Sequence, residues 1–211
     1  MLSSPVPHYK YQQSGEGFAH SYLLPILMDC LGECSGPVLD LGCGNGWIAR
    51  CLLDAGIDVY GVDASISGVE IANGLAPGRF FQLDVQSGQL PVELDSISFK
   101  TVISTEVIEH LYDPRGFLDF ANRILTRGGQ SGGKMVVSTP YHGYLKNLVL
   151  ALVGKTDSHF TVLWDGGHIK FFSRSTLESM LVERGFIVER FEGAGRIPYL
   201  WKSMLVAART V

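Results

Sequence analysis

Ten residues constrain this chain more than any others: Val38-Leu39-Asp40-Leu41-Gly42-Cys43-Gly44-Asn45-Gly46-Trp47. Apolar residues flanking one aspartate make a short buried strand, and three glycines then fall within five positions. That change of composition stops the backbone extending, turns it sharply and lets another group come very close. Ile48 to Gly56 follows as a helix closed by its glycine. A strand, a glycine turn and a helix N-terminus in this order form a site for a nucleotide or nucleotide-like ligand. The alternative is a tight turn with no ligand, which rarely needs so many glycines.

The rest of the chain repeats the alternation. Phe18 to Leu31 has apolar residues at helical spacing despite Pro25. Strands are expected at 58–63, 79–83, 99–104 and 134–138, with helices at 65–75 and at 115–126 behind Pro114. A helix over 173–184, capped by Ser173 or Ser175, precedes strands at 186–191 and 199–207. The short connection between those last two predicts an antiparallel hairpin at the sheet edge. This rhythm predicts a doubly wound α/β sheet of seven strands, mostly parallel with an antiparallel C-terminal strand. At 211 residues the chain is read as one domain, 1–211. It carries an N-terminal arm and helix (1–35) and an insert at 139–172.

Two acids follow strands where ligands of open α/β sheets bind. Asp63 lies 21 positions beyond Gly42, the spacing at which a carboxylate can accept hydrogen bonds from both ribose hydroxyls. The alternative is a cap for the next helix. Asp84, before Val85, could accept an exocyclic amine of adenine or simply cap its loop.

Composition excludes several classes. No apolar run approaches the ~20 residues of a membrane span, and residues 1–8 have no signal-peptide pattern. Cys30, Cys34, Cys43 and Cys51 lack paired zinc spacing, so reduced thiols in a cytoplasmic protein are expected. A net charge of −4 gives no general attraction to nucleic acid, and no nucleic-acid partner is expected.

Taken together, Val38–Trp47, Val59-Tyr60-Gly61-Val62-Asp63 and Leu83-Asp84-Val85 resemble the first motifs of class I S-adenosylmethionine-dependent methyltransferases. The resemblance spans roughly residues 36–140 and implies a Rossmann-like sheet with S-adenosyl-L-methionine as cofactor. It places Asp40, Gly42, Gly44, Asn45, Gly46, Asp63, Ala64, Asp84, Val85 and Thr105 around that cofactor. The glycines read G-x-G-x-G, whereas dinucleotide oxidoreductases use G-x-G-x-x-G to seat a pyrophosphate. Trp47 stands where the third dinucleotide glycine would be.

Glu106, Glu109 and His110 fall at i, i+3 and i+4, which on a helical turn puts all three on one face. Two carboxylates and an imidazole can hold a divalent cation such as Mg2+. The segment resembles the metal site of small-RNA 2′-O-methyltransferases and its counterpart in ubiquinone-biosynthesis O-methyltransferases. That resemblance brings His168 in as the fourth ligand. Without a metal, His110 or His168 would act as general base, and Glu106 would be a polar residue near the substrate. The implied activity is methyl transfer to a hydroxyl of a small or lipid-like acceptor, aromatic ones included. Alternatives are N- or C-methylation, or a cofactor-binding module without turnover.

The insert 139–172 is read as the acceptor lid, with Tyr141, His142, Tyr144 and Trp164 suited to an aromatic acceptor. Residues 145–155 are read as a lid helix packed on the core. A homodimer contact and a membrane-surface contact are the alternatives.

Overall fold

A computed structural model describes residues 11–12, 15, 17, 19–160, 163–164 and 166–211. Seven strands form one sheet: β1 (Val38–Leu41), β2 (Val59–Asp63), β3 (Phe80–Gln82), β4 (Thr101–Thr105), β5 (Lys134–Pro140), β6 (Phe186–Ala194) and β7 (Ser203–Thr210). Their order is β3-β2-β1-β4-β5-β7-β6. β3, β2, β1, β4 and β5 run parallel, and β7 is antiparallel to both β5 and β6. The strand order reverses between β1 and β4, and a crevice opens at the carboxyl ends there.

Both faces of the sheet are covered, as a parallel sheet requires. On one face lie α4 (Pro114–Leu125) and α7 (Arg174–Glu183), whose Phe117, Phe120, Leu177 and Leu181 pack against Leu39, Leu41, Val102 and Val137. On the other lie α1 (His20–Leu31), α2 (Trp47–Asp54) and α3 (Ile66–Leu75), which bury Leu23, Leu27, Ile48, Leu52 and Ala72 against Val38, Ile103 and Val136. Alternation along β1 therefore sends Leu39 and Leu41 one way and Val38 the other. Pro25 is accommodated in α1 at an exposed position.

Element ends follow from side chains that satisfy free backbone donors. Ser65, Asp113 and Ser173 cap α3, α4 and α7, accepting from Gly68, Gly116 and Thr176 N–H groups. The last hairpin differs from expectation in extent. β6 runs on to Ala194 and β7 starts only at Ser203, because Gly195 and Tyr199 take positive φ (88° and 65°) and hold a bend between them. β7 also inserts between β5 and β6, leaving β6 as the edge strand.

Gly46 marks where sheet and helices meet most tightly. Its φ is +76°, and a Cβ built there would lie 2.6 Å from the Ala72 Cβ of α3. Gly46→Ala is expected to destabilise the fold by roughly 2–4 kcal/mol in urea melts, combining a left-handed backbone with a steric overlap. Adding Ala72→Gly should recover only the overlap. Full recovery, or no loss at all, would show that the turn is not under this constraint.

Candidate active site

The glycine turn sits at the reversal point of the sheet and is held from beneath by one carbonyl. Gly42 and Cys43 both donate to the Val62 oxygen, at 2.8 and 3.0 Å. Gly42, Gly44 and Gly46 all have positive φ, so the turn needs glycine for conformation as well as for access. Asp63, at the end of β2, joins this turn to the next. One carboxylate oxygen accepts from Gly44 N–H and the other from Ser65 N–H, each at 2.8 Å. The cap of α3 falls to Ser65, and the Asp63 oxygens, each accepting one bond, retain further lone pairs. Burial raises its pKa, and the two backbone donors oppose that shift.

Below the turn lies Asp40, 1% exposed, with neither carboxylate oxygen hydrogen-bonded. Burial, reinforced by the charge of Asp63, pushes its pKa up to about 8. Asn45 accepts from Trp47 N–H at 3.3 Å and donates to the Gly15 carbonyl at 2.9 Å. Tyr11 and Gly15 thus lie across the turn. Tyr11 N–H donates to Ser67 Oγ at 3.1 Å, and a Cβ on Gly44 would lie 2.6 Å from the Tyr11 hydroxyl. His20 stacks on Trp47 with ring centroids 5.0 Å apart. Of the remaining expected cofactor residues, Ala64 follows β2, and its carbonyl accepts from Gln82 at 3.4 Å. Thr105 ends β4 half-buried. Asp84 accepts from Gln86 N–H at 2.9 Å, capping its own turn, while Val85 is buried in the core.

After β4 the chain does not continue as the expected helical turn. Glu106 has φ +55°, and only Ile108–His110 form a single 3-10 turn. Glu106, Glu109 and His110 therefore do not share one face. The Glu106 carboxylate turns to the strand ends, accepting from Ser138 Oγ (2.9 Å) and Ser203 Oγ (3.1 Å). Ser203 in turn pairs with the Tyr22 hydroxyl of α1 at 3.2 Å. Burial raises the Glu106 pKa to about 7 against these hydroxyls. Glu106 thus drops out of the expected ligand set.

Glu109, His110 and His168 do come together, with one ligand atom from each within 4.8 Å of the others. The main chain arranges this meeting. The Glu109 carbonyl accepts from both Ile169 and Lys170 N–H, at 2.9 and 3.0 Å, pinning the His168 segment onto the turn. The rings of His110 and His168 lie 4.9 Å apart, with Trp164 edge-on to both. Glu109 is fully buried. Its Oε2 accepts from Thr139 Oγ1 at 3.0 Å and its Oε1 has no hydrogen-bond partner. Burial, then the charge of Glu106, raises its pKa well above the ordinary range. Burial lowers the pKa of His110, and burial with the neighbouring His110 lowers His168 to about 4, so both rings are neutral at pH 7.

The insert divides into α5 (Tyr144–Leu152) and α6 (Thr156–Phe160). Tyr141 is buried in the core against Trp201, and Tyr144 is 84% exposed. His142 lies in a cluster with His159, Phe160 and Phe171, buried and with both ring nitrogens unpartnered. The expectation that α5 packs its apolar run on the core is not met: Leu145, Leu148 and Leu152 are exposed, and Lys146 is its buried residue. Lys146, Ser138, Thr139 and Ser203 were not anticipated as site residues. The one signal was a lysine interrupting an otherwise apolar run after β5.

Asp40 makes the site sensitive to pH. Its folded pKa is far above the unfolded value near 3.8, so the folded state keeps a proton that the unfolded chain gives up. Without ligand, stability is expected to fall as pH rises from about 4 to about 8. Asp40→Asn should flatten that slope in urea melts across the range; an unchanged slope would assign it to other groups.

Residues 16–190 match the family described as methyltransferase domain. The chain is 27% identical over 163 residues to the ubiquinone biosynthesis O-methyltransferase of Psychrobacter arcticus, covering 74% of this chain and 61% of that protein. To the mitochondrial enzyme of the same name from Schizosaccharomyces pombe it is 29% identical, covering 74% and 57%. The chain thus spans about three-fifths of the length of these curated relatives. Among solved structures, magnesium protoporphyrin IX methyltransferase from Synechocystis with bound S-adenosylhomocysteine superposes with a TM-score of 0.63 at 21% identity, covering 90% of this chain and 80% of that one. An S-adenosylmethionine-dependent methyltransferase from Mesorhizobium loti gives 0.65 at 23%, covering 88% and 96%. At these identities the structures speak for the fold. The family match, which runs from the arm through the glycine turn and into β6, supplies the assignment: the chain belongs to the methyltransferase domain family.

Proposed function

We propose that this chain transfers a methyl group from S-adenosylmethionine to a hydroxyl of a small or lipid-like aromatic acceptor. The observation that carries this reading is the meeting of Glu109, His110 and His168 beside the reversal point of the sheet, held by two backbone hydrogen bonds to one carbonyl. The relatives named as O-methyltransferases support oxygen as the acceptor atom.

The cradle fits the cofactor on its own terms. Positive φ at Gly44 and Gly46 keeps the turn free of side chains, and Asp63 offers a carboxylate already oriented by two N–H groups. Asp40, buried and unpartnered, suits a ligand that brings a cationic amino group. S-adenosylmethionine supplies a methyl carbon already activated on a sulfonium sulfur, so the protein's task is alignment and exclusion of water. Tyr11 and Gly15, bonded to Ser67 and Asn45, close the cradle from outside.

On the acceptor side two neutral imidazoles are available to take the hydroxyl proton, and Trp164 forms a wall beside them. The same groups fit a divalent cation. Glu109 Oε1 is buried without a partner, and neutral His110 and His168 have the nitrogen lone pairs that metals take. Such an ion would polarise the acceptor hydroxyl and lower its pKa. The exposed apolar face of α5 is assigned to contact with a lipid surface or a second copy of the chain. A cytoplasmic setting accords with four free cysteines.

Two measurements test this reading. Asp63→Ala should weaken S-adenosylhomocysteine binding by about 1.5–3 kcal/mol, as expected for hydrogen bonds to a charged group; unchanged affinity in calorimetry would remove Asp63 from the ribose role. Crystals soaked in manganese should give an anomalous peak between Glu109, His110 and His168. An empty position at full cofactor occupancy would leave the histidines as bases without a metal.

A further inference from the structure

Four buried atoms beside helix α5 have nothing to bond. Both ring nitrogens of His142, Nε2 of His159 and Oδ1 of Asn147 are shielded from solvent with no hydrogen-bond partner among the described residues. They come from three places: His142 follows β5, Asn147 lies in α5 and His159 in α6. The His142 N–H donates to the Phe172 carbonyl at 2.9 Å, which fixes the residue against the segment before α7. Phe160 stacks on its ring at 5.7 Å and Phe171 meets it edge-on at 5.1 Å. Asn147 faces His142 without reaching hydrogen-bond geometry. Neither nitrogen of His142 is open to bulk water, whereas a buried imidazole normally pairs at least one.

The spacing of the two rings has a chemical meaning. Their centroids stand 5.4 Å apart with the planes tilted by 56°. Two imidazoles on one tetrahedral zinc, with Zn–N bonds of about 2.0–2.1 Å, place their centroids about 5 Å apart. Burial lowers the pKa of both rings, that of His142 to about 4, so each is neutral at pH 7 and keeps a nitrogen lone pair. The Asn147 amide oxygen offers a third, weaker contact. Among the described residues no third histidine, cysteine or carboxylate joins this pair, so a hard ion such as Mg2+ finds no anionic oxygen there. Lys146 and Arg196 add positive charge nearby. The Lys146 ammonium is directed at the Tyr141 and Lys202 carbonyls, at 2.7 and 3.3 Å, and Glu106 attracts it in turn. This positive surrounding disfavours ions held by charge alone and selects one with high affinity for imidazole.

We propose that His142 and His159, supported by Asn147, bind one zinc ion that ties α6 to the end of β5. The site is distinct from the group of Glu109, His110 and His168, which contributes a buried carboxylate and belongs to the proposed reaction. The inference does not depend on which acceptor is methylated.

The test uses crystals of the full chain soaked in zinc chloride, with diffraction measured on both sides of the zinc absorption edge. An anomalous peak should appear within bonding distance of His142 and His159. His159→Gln should abolish that peak while leaving any peak at Glu109, His110 and His168 in place. In calorimetry the same variant should lose one equivalent of bound zinc relative to the wild-type protein, and excess magnesium should not displace it from the wild type. His142→Phe keeps an aromatic ring against Phe160 and Phe171 and should behave likewise. His159 is half-buried in a short helix, so its variant serves if His142→Phe does not fold. A zinc peak confined to the Glu109 group would overturn the inference. So would zinc binding that neither variant alters, displacement by magnesium, or a site that stays empty at millimolar zinc, which would leave ordered water as the partner of these atoms.

Discussion

Two backbone N–H groups, from Gly44 and Ser65, point at one carboxylate, and much of this molecule depends on that arrangement. Asp63 ends β2, Gly44 lies in the turn after β1, and Ser65 begins α3, so a single side chain sets the distance between two βα turns. Because the N–H donors are fixed by the sheet register, the carboxylate is oriented before any ligand arrives. The arrangement also explains why the turn is glycine-rich. A side chain on Gly44 would meet Tyr11, and one on Gly46 would meet α3, so the close approach that lets Asp63 reach Gly44 N–H leaves no room for Cβ atoms.

The other half of the crevice is built by a different device. Here main-chain hydrogen bonds from Ile169 and Lys170 to the Glu109 carbonyl bring distant segments into register, and side chains follow. This division has a chemical sense. The glycine turn and Asp63 belong to consecutive turns of one sheet. The histidine cluster joins the turn after β4 to the segment between β5 and α7, which the sheet does not dictate.

That division also accounts for what could be read in advance. The glycine turn, Asp63 at its spacing and the alternation of elements were legible because they are local or follow a repeating period. The cap at Ser173 was legible for the same reason, being a short-range hydrogen bond. Glu106 was misplaced because helical spacing was assumed where the backbone takes φ +55°, a conformation that depends on Ser138 of the neighbouring strand holding its N–H and carboxylate. The orientation of α5 was misread since an apolar run normally faces the core. One lysine reversed it, through the carbonyls of Tyr141 and Lys202 flanking β5 and β7, which no local pattern reveals. Tyr141 similarly went to the core because Trp201, sixty positions later, offered an aromatic partner.

The hold that Lys146 exerts on α5 has a consequence for how this region can change over time. Its partners are main-chain oxygens, which every amino-acid sequence possesses, and the leucines around it contribute little to the interior. Substitutions along the outer face of the helix are therefore nearly neutral for folding. A lineage can vary that face while the sheet and the glycine turn beneath stay intact. Helix α5 is anchored through Lys146 and free to vary along its outer face.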